Sequence, residues 1–480
     1  MSNTLNELET KKAVAEIQNF GEKLVVPEGM SITQAIDLLE RRNDYLEENT
    51  VLRAKFPVFP WDGAYGFSQV LIDMFGWAPA EPVPGFFGDS PPEMIEIEIG
   101  YGQKATIAWG RFSIPTVKDG YIQCGADMVD GQLCFSLSAK VKRKYEHTVK
   151  EIFDRLTAYL KSNSIYAGQA IKMRFRDEDG DRLRMPEPEF LRTDHISKDM
   201  LIYNDDVQEA IQTNLFTPIE RIQDCIANDI PTKRGVLLGG PYGTGKTLAA
   251  TVASRLAVDN KVTYLYVPRA DELGDAIAFA KQYQANACVI FCEDIDRAVN
   301  GERSVKMDDI LNILDGIDTK GNKIITVLTT NHLENINPAM LRPGRLDAVI
   351  DVEAPNAESV IKLIHLYGKG AVAADADLSA VGEVLQGVIP ATVAEVVKRA
   401  KLSQVALQEA GTPIETLSPE ALLSAAKTMR KQVDALAELN KDKTPAPTID
   451  DIMGGIFKKM QNQEQLDNVE SKVKYISERV

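Results

Sequence analysis

The stretch that decides the fold is Gly235-Val-Leu-Leu-Gly-Gly-Pro-Tyr-Gly-Thr-Gly-Lys-Thr247. Its last eight residues, 240–247, follow the pattern G-x-x-x-x-G-K-T. The apolar residues 236–238 predict a strand before the loop, and residues 248–256 predict a helix after it. Because strand, glycine-rich loop and helix occur in this order, the pattern indicates a phosphate-binding loop in an α/β domain.

The chemistry of this loop follows from its residue types. Gly243 and Gly245 allow the backbone to wrap around phosphate groups with its N–H groups pointing inward. The N-terminus of the following helix adds partial positive charge where the phosphates lie. We expect Lys246 to reach the β- and γ-phosphates of ATP and the Thr247 hydroxyl to bind Mg²⁺. The predicted nucleotide-binding residues are Gly240, Pro241, Tyr242, Gly243, Thr244, Gly245, Lys246, Thr247 and Leu248.

Two more apolar segments end in polar residues. The first, Cys288-Val-Ile-Phe-Cys-Glu-Asp-Ile-Asp296, predicts a buried parallel strand with acids at its carboxyl end, where α/β folds place active sites. We expect Glu293 to serve Mg²⁺ and Asp294 to orient and activate water. The second, residues 323–331, predicts a strand that places Asn331 between the phosphate loop and the acids.

A rigid turn follows in Asn337-Pro-Ala-Met-Leu-Arg-Pro-Gly-Arg-Leu-Asp347. It presents Arg342 and Arg345 on either side of a Pro-Gly pair. Such arginines can reach a γ-phosphate across a subunit boundary and neutralise the charge that develops there. The alternative is that both form ordinary surface salt bridges.

Together these motifs make residues 201–402 resemble the ATPase module of the AAA branch of the AAA+ superfamily. By this resemblance residues 240–247 are Walker A, residues 289–296 are Walker B, Asn331 is sensor 1, and Arg342 and Arg345 are arginine fingers. The resemblance implies a P-loop NTPase core with a parallel sheet, followed by a C-terminal helical lid. It also implies a homo-oligomeric ring, most often a hexamer, that binds ATP between subunits and remodels a macromolecule.

The order of the two acids departs from the usual one in this family, which is Asp before Glu. Glu293 followed by Asp294 resembles a subset that includes the mitochondrial Rieske-protein translocase, which is membrane-anchored. Since Asp is one methylene shorter than Glu, the water is expected to be placed differently or hydrolysis to be slower. We expect Asp294→Asn to keep ATP binding and to block turnover.

The segment that carries an aromatic pore loop in protein-threading relatives is short in this chain. Tyr264 and Tyr266 fall inside a predicted strand, where core packing is expected. The loop proper, residues 269–274, contains no aromatic residue. Movement of a folded substrate, or remodelling without threading, is therefore favoured over threading by a pore tyrosine.

Composition and charge exclude several classes of protein. With 480 residues, 44% hydrophobic and 26% charged, the chain is neither disordered nor a disulfide scaffold. It has no apolar window of transmembrane length and no secretory signal pattern, so no membrane association is expected. Five cysteines without a C-x-x-C pair indicate reduced thiols and a cytoplasmic location. A net charge of −16 argues against nucleic acid as the partner.

Patterning along the chain predicts a small mixed α/β domain before the ATPase core. Residues 94–99 and 133–141 alternate as half-buried strands, and residues 146–161 have the periodicity of an amphipathic helix. Ser31 and Gln34 fit a helix capping box. The predicted divisions are 1–50, an N-terminal helical segment; 51–175, the mixed α/β N-terminal domain; 176–200, a linker; 201–355, the ATPase core; 356–440, the helical lid; and 441–480, a linker and C-terminal helical tail.

The sequence therefore predicts a cytoplasmic AAA+ ring ATPase that remodels or moves a protein substrate. Two alternatives stay open. A nucleic-acid motor or loader would show ATPase stimulation by DNA. A scaffolding ring, in which ATP mainly controls assembly, would oligomerise with ATP but lack substrate-stimulated turnover.

Overall fold

A computed structural model describes residues 18–20, 23–26, 29–85, 88–283, 287–295, 323–333, 346–406, 414 and 416–441. The chain forms two compact units, Met1–Glu353 and Ala354–Val480. No helix in these ranges is long and apolar enough to cross a bilayer.

A seven-stranded sheet forms the centre of the first unit. Its strands are β12 (Ala170–Lys172), β13 (Glu189–Phe190), β14 (Arg234–Gly239), β15 (Thr263–Val267), β16 (Cys288–Cys292), β17 (Ile324–Thr329) and β18 (Ala348–Asp351). The strand order is β13-β12-β15-β16-β17-β14-β18, and every neighbouring pair is parallel except β12 with β13. The predicted parallel core is therefore confirmed, and the three strands expected to deliver site residues are neighbours.

Burial on both faces explains why these strands are continuous apolar runs. All residues of β16 and β17 are buried, as expected for central parallel strands covered by helices. The helices of this part are α4 (Asp205–Ile211), α5 (Thr217–Glu220), α6 (Ile222–Ala227), α7 (Lys246–Asp259) and α8 (Leu273–Gln282), with a π-helical turn at Gln212–Phe216. Helix α7 begins directly after the phosphate loop. Helix α8 lies between β15 and β16 along the chain.

The part before this sheet, residues 29–163, is called the N-terminal region below. It holds helices α1 (Ile32–Glu47), α2 (Pro60–Phe75) and α3 (Glu146–Asn163). Its main sheet has the order β3-β11-β10-β9-β4, with β3 (Asn49–Phe56), β4 (Ala80–Glu81), β9 (Arg111–Ser113), β10 (Tyr121–Val129) and β11 (Gln132–Lys142). Two hairpins stand beside it: β5 (Val83–Gly85) with β6 (Gly88–Ser90), and β7 (Glu93–Gly100) with β8 (Gln103–Trp109). The strands predicted at 94–99 and 133–141 and the helix predicted at 146–161 are confirmed.

Two features of the N-terminal part differ from the sequence expectation. The predicted helical segment 1–50 also contains β1 (Gln18–Phe20) and β2 (Lys23–Val25), which pair as an antiparallel hairpin because their backbone groups satisfy each other. Helix α1 lies within the segment, and its predicted capping box is confirmed. The seven-stranded sheet also begins before residue 201: β12 lies in the segment predicted as the N-terminal domain, and β13 lies in the predicted linker. The predicted domain boundaries stay a prediction.

The end of α8 is joined to the N-terminal region by a buried contact that we call the α8 joint, formed by Phe59, Asp62, Tyr166, Phe279 and Tyr283. The Phe59 N–H donates to the Tyr283 hydroxyl at 2.8 Å, and that hydroxyl also bonds the Asp62 carboxyl. The Phe279 ring lies 5.5 Å from that of Phe59 and 4.9 Å from that of Tyr283. All five residues are buried, so the N-terminal region and the large sheet share one apolar core.

The described part of the second unit is helical. Its helices are α9 (Ala357–Gly368), α10 (Ser379–Leu385), α11 (Pro390–Val405) and α12 (Pro419–Lys441). Asn356 caps α9 by accepting from the Ser359 N–H at 2.9 Å, and Pro390 occupies the first turn of α11. The predicted C-terminal tail lies outside the described residues.

Candidate nucleotide-binding site

The phosphate loop takes a conformation that only glycine adopts easily. Gly240, Gly243 and Gly245 have φ of +132°, +78° and +101°. A Cβ on Gly240 would lie 2.5 Å from the Val352 carbonyl oxygen, so a larger residue would displace the loop. The Tyr203 hydroxyl donates to the Gly245 carbonyl at 2.8 Å and fixes the end of the loop where α7 begins. The backbone is thus held in a cradle, as the sequence predicts.

Lys246 is the buried cation of this cradle. Its residue surface is 6% exposed, and its ammonium group donates to the carbonyls of Gly240 and Pro241, both at 2.7 Å. Lys246 is also the first residue of α7, whose first turn contains no acid. Its positive charge therefore adds to the partial positive charge of the helix N-terminus at one place.

One cavity collects the predicted residues from three separate segments of the chain. Its volume is about 420 Å³, within the usual size of a small-molecule pocket. The lining residues are Tyr242, Gly243, Gly245, Lys246, Thr247, Leu248, Glu293, Asp294, Thr329 and Asn331. The phosphate loop, both acids and Asn331 therefore meet at the carboxyl edge of the sheet, because β14, β16 and β17 are parallel neighbours.

Asp294 is held in an unusual backbone conformation. Its φ is +47°, in the left-handed region that Asp and Asn tolerate better than most residues. The Asp294 N–H donates to the Thr329 hydroxyl at 3.1 Å, and the Asn331 side-chain amide donates to the Asp294 carboxylate at 2.8 Å. The second acid is thus fixed by two contacts from β17 and the residues after it. This connection between Asn331 and Asp294 agrees with the placement that the sequence predicts.

Glu293 has a partner that the sequence does not predict. The Tyr266 hydroxyl donates to the Glu293 carboxylate at 3.0 Å, and the Tyr266 ring stacks on Phe291 at 5.3 Å. Burial, then the charge of Glu293, raises the pKa of Tyr266, so the phenol stays a donor. Both tyrosines pack on the core, as the sequence predicts. Tyr264 is 2% exposed and donates to the Ala250 carbonyl at 2.9 Å, and Tyr266 is partly buried against the same cluster. One feature of the sequence could have indicated this contact: Tyr266 lies near the carboxyl end of the predicted strand β15, where site residues are expected.

Magnesium fits this set of donors. Thr247 and Glu293 line the same cavity, and Mg²⁺ is commonly held by one or two protein ligands together with phosphate oxygens and water. Within the described residues no cluster of three metal-binding side chains occurs. The glycine-rich loop, the buried Lys246 and the nearby Glu293 carboxylate together suit a nucleotide bound with Mg²⁺. Arg342 and Arg345 lie outside the described residues, and their roles stay a prediction.

The fold and the site define a nucleotide-binding α/β protein. The profile of the "ATPase family associated with various cellular activities (AAA)" matches residues 236–354, which therefore form an AAA domain. The match covers the phosphate loop, both acids and Asn331, the residues that the cavity brings together.

Three curated relatives show where similarity extends. The 26S proteasome regulatory subunit S10B homolog B of Arabidopsis thaliana is 31% identical over 34% of this chain and 44% of its own length. The Cell division cycle protein 48 homolog of Archaeoglobus fulgidus is 25% identical over 74% of this chain and 51% of its own length. The proteasome-activating nucleotidase of Methanococcus vannielii is 26% identical over 49% of this chain and 60% of its own length. The chain thus spans about half the length of these relatives. The narrower resemblance to the Rieske-protein translocase stays a prediction.

Proposed function

We propose that this protein is an ATP-hydrolysing AAA+ ring ATPase that remodels or moves a protein substrate. The observation that carries the proposal is the cavity at the carboxyl edge of the sheet, which joins the phosphate loop to Glu293, Asp294 and Asn331. These groups are what phosphoryl transfer to water requires: a phosphate cradle, a metal ligand, and a carboxylate that orients water.

Each residue has a distinct task in this proposal. Lys246 and the loop N–H groups bind and orient the β- and γ-phosphates, and Thr247 and Glu293 would hold Mg²⁺. When bound, the metal neutralises charge on the phosphate oxygens. Asp294 accepts a proton from the attacking water, and its carboxylate is aimed by the Asn331 amide at 2.8 Å. Asn331 thereby links the γ-phosphate position to the base.

The proposed assembly is a homo-oligomeric ring, most often a hexamer in this family. Arg342 and Arg345 would act on the ATP of the neighbouring subunit, which makes activity depend on assembly. The helical unit after residue 353 is proposed as the lid, and the N-terminal region as the part that recognises a substrate. All five cysteines are buried free thiols, which supports the proposed cytoplasmic location.

A protein substrate is favoured over a nucleic acid by the charge of −16 and by the relatives, two of which are named as proteasome components or activators. The turn after β15 supports movement of a protein substrate without threading by an aromatic pore-loop residue. Residues 268–272 lead through a short 3₁₀ turn into α8, while the Tyr264 and Tyr266 rings lie in the sheet.

The test is Asp294→Asn in the full-length protein. Asn adopts the same left-handed conformation and retains the contact with Asn331, so the site should fold. We expect phosphate release to fall at least about a hundredfold, the usual contribution of a general base, while calorimetry shows ATP binding unchanged. Asp259→Asn, on an exposed acid paired with Arg255 at 2.9 Å, is the matched control and should hydrolyse ATP at the wild-type rate.

Normal hydrolysis by Asp294→Asn would remove Asp294 from the role of base. Loss of ATP binding in the same variant would show that the carboxylate is a binding group. Turnover by wild-type protein is then measured with unfolded protein and with DNA. Stimulation by DNA alone would replace the protein-remodelling proposal by the nucleic-acid alternative, and ATP-dependent assembly without stimulation by protein would favour a scaffold.

A further inference from the structure

The second acid of the nucleotide site, Asp294, has a backbone conformation that few residues adopt. Its φ is +47°, and in this left-handed region the Cβ of any residue except glycine crowds the following carbonyl oxygen. Asp and Asn are tolerated best among the others, because their short polar side chains can form local hydrogen bonds. Aspartate therefore suits this position better than glutamate, the acid that the usual order in the family places there.

Thr329 holds Asp294 in this conformation. It is the last residue of β17, it is 1% exposed, and it lines the nucleotide cavity. The pairing of β16 with β17 ends at Cys292 and Leu328, so the chain that continues after Cys292 passes the end of β17. There the Asp294 N–H donates to the Thr329 hydroxyl at 3.1 Å. Because a part-buried N–H without an acceptor costs free energy, this bond stabilises the left-handed backbone.

The same strand end positions the Asp294 carboxylate. The Asn331 side-chain amide donates to that carboxylate at 2.8 Å, and Asn331 follows Thr329 closely along the chain. The backbone and the side chain of Asp294 are thus both held by residues 329–331. A glutamate here would have one more methylene, which would move its carboxylate away from the place where the Asn331 amide bonds it.

We propose that Thr329 is a positioning residue for the base and that it makes the site specific for aspartate at position 294. The Thr329 hydroxyl keeps the backbone left-handed, and the short carboxylate then lies where Asn331 bonds it. The order of the two acids departs from the family pattern, and the backbone of this site is matched to that departure. The inference rests on the proposed function only in taking Asp294 as the base.

The backbone is tested without nucleotide, by urea unfolding of Asp294→Gly and Asp294→Ala in the full-length protein. Neither variant has a carboxylate, so they differ in how easily residue 294 adopts positive φ. We expect Asp294→Gly to unfold at the higher urea concentration, because alanine is strained in the left-handed region and glycine is not. The reverse order, which holds at ordinary positions, would overturn the inference.

The positioning role is tested by steady-state ATP hydrolysis. Thr329→Val keeps the shape of the side chain and loses the hydroxyl, so kcat should fall about tenfold while KM for ATP stays unchanged. Thr329→Ser keeps the hydroxyl and should hydrolyse ATP at close to the wild-type rate. Asp294→Glu should also lower kcat about tenfold, because the longer acid is strained at this backbone position.

Thr326→Val is the matched control, since Thr326 is a 2% exposed threonine on the same strand, and this variant should have wild-type kcat. A kcat for Asp294→Glu at or above wild type would overturn the specificity for aspartate. Wild-type kcat in Thr329→Val, or an equal loss in Thr329→Ser, would overturn the role of the hydroxyl. None of these outcomes alters the result for Asp294→Asn, on which the role of Asp294 as base depends, and the urea comparison does not require hydrolysis.

Discussion

The carboxyl edge of the seven-stranded sheet and the α8 joint are both held by hydrogen bonds, but they are built differently. At the edge, the polar groups of Glu293, Asp294 and Asn331 face an open cavity. At the joint, one carboxyl, Asp62, is 1% exposed and accepts from the Tyr283 hydroxyl, the Ser164 hydroxyl and the Ile165 N–H. The edge therefore keeps its charges available for chemistry, whereas the joint uses polar contacts to hold the N-terminal region against α8.

This difference gives separate consequences for mutation. Groups at the edge act on a ligand, so their loss should lower activity with little effect on folding. Groups at the joint connect the N-terminal region to α8, so their loss should lower the free energy of unfolding. The three predictions below test that separation, from the largest expected effect to the smallest.

Phe279→Ala should give the largest loss of stability. The ring is 3% exposed and contacts the rings of Phe59, Tyr166 and Tyr283, so its removal opens a cavity in the joint. We expect urea unfolding to show a loss of about 3–5 kcal/mol. ATP affinity of the folded variant, measured by calorimetry, should match wild type. A parallel loss of ATP affinity would mean that the edge and the joint behave as one unit.

Asp62→Asn should change how stability depends on pH. Burial raises the pKa of Asp62 from 3.8 to about 6, although the Ser164 hydroxyl and the Ile165 N–H bond the carboxyl at 2.6 and 3.0 Å. At a pH between these two pKa values, Asp62 carries a proton in the folded chain but has released it in the unfolded chain. Wild-type stability contributed by this group is therefore full below about pH 4 and falls as pH rises, by about 3 kcal/mol at pH 7.

The measurement is the difference in urea unfolding between Asp62→Asn and wild type from pH 4.5 to 7.5. Asn cannot ionise and still accepts from Ile165, so the variant should gain relative stability as pH rises. Asp73→Asn, on an exposed acid of the same helix, should give a flat difference. A flat difference for Asp62→Asn as well would show that the buried carboxyl does not govern stability.

The sequence predicts the edge far better than the joint, and the reason is distance along the chain. Each edge feature is a local pattern: a glycine loop between strand and helix, or acids at the end of an apolar run. Parallel pairing then brings these ends together. The bond from Phe59 to Tyr283 joins residues separated by 224 positions, and nothing near either residue indicates the other.

Tyr266→Phe should give the smallest change, and it concerns an edge contact that local pattern did not predict. The variant keeps the ring that stacks on Phe291 and loses only the donor to Glu293 at 3.0 Å. A hydrogen bond to a charged group contributes about 1.5 kcal/mol, so we expect about a tenfold higher Mg²⁺ requirement for hydrolysis. Tyr264→Phe, on the same strand but bonded to Ala250, is the control and should leave the Mg²⁺ requirement unchanged. If both variants shift it equally, the effect comes from the strand, and the Tyr266 hydroxyl has no role in positioning Glu293.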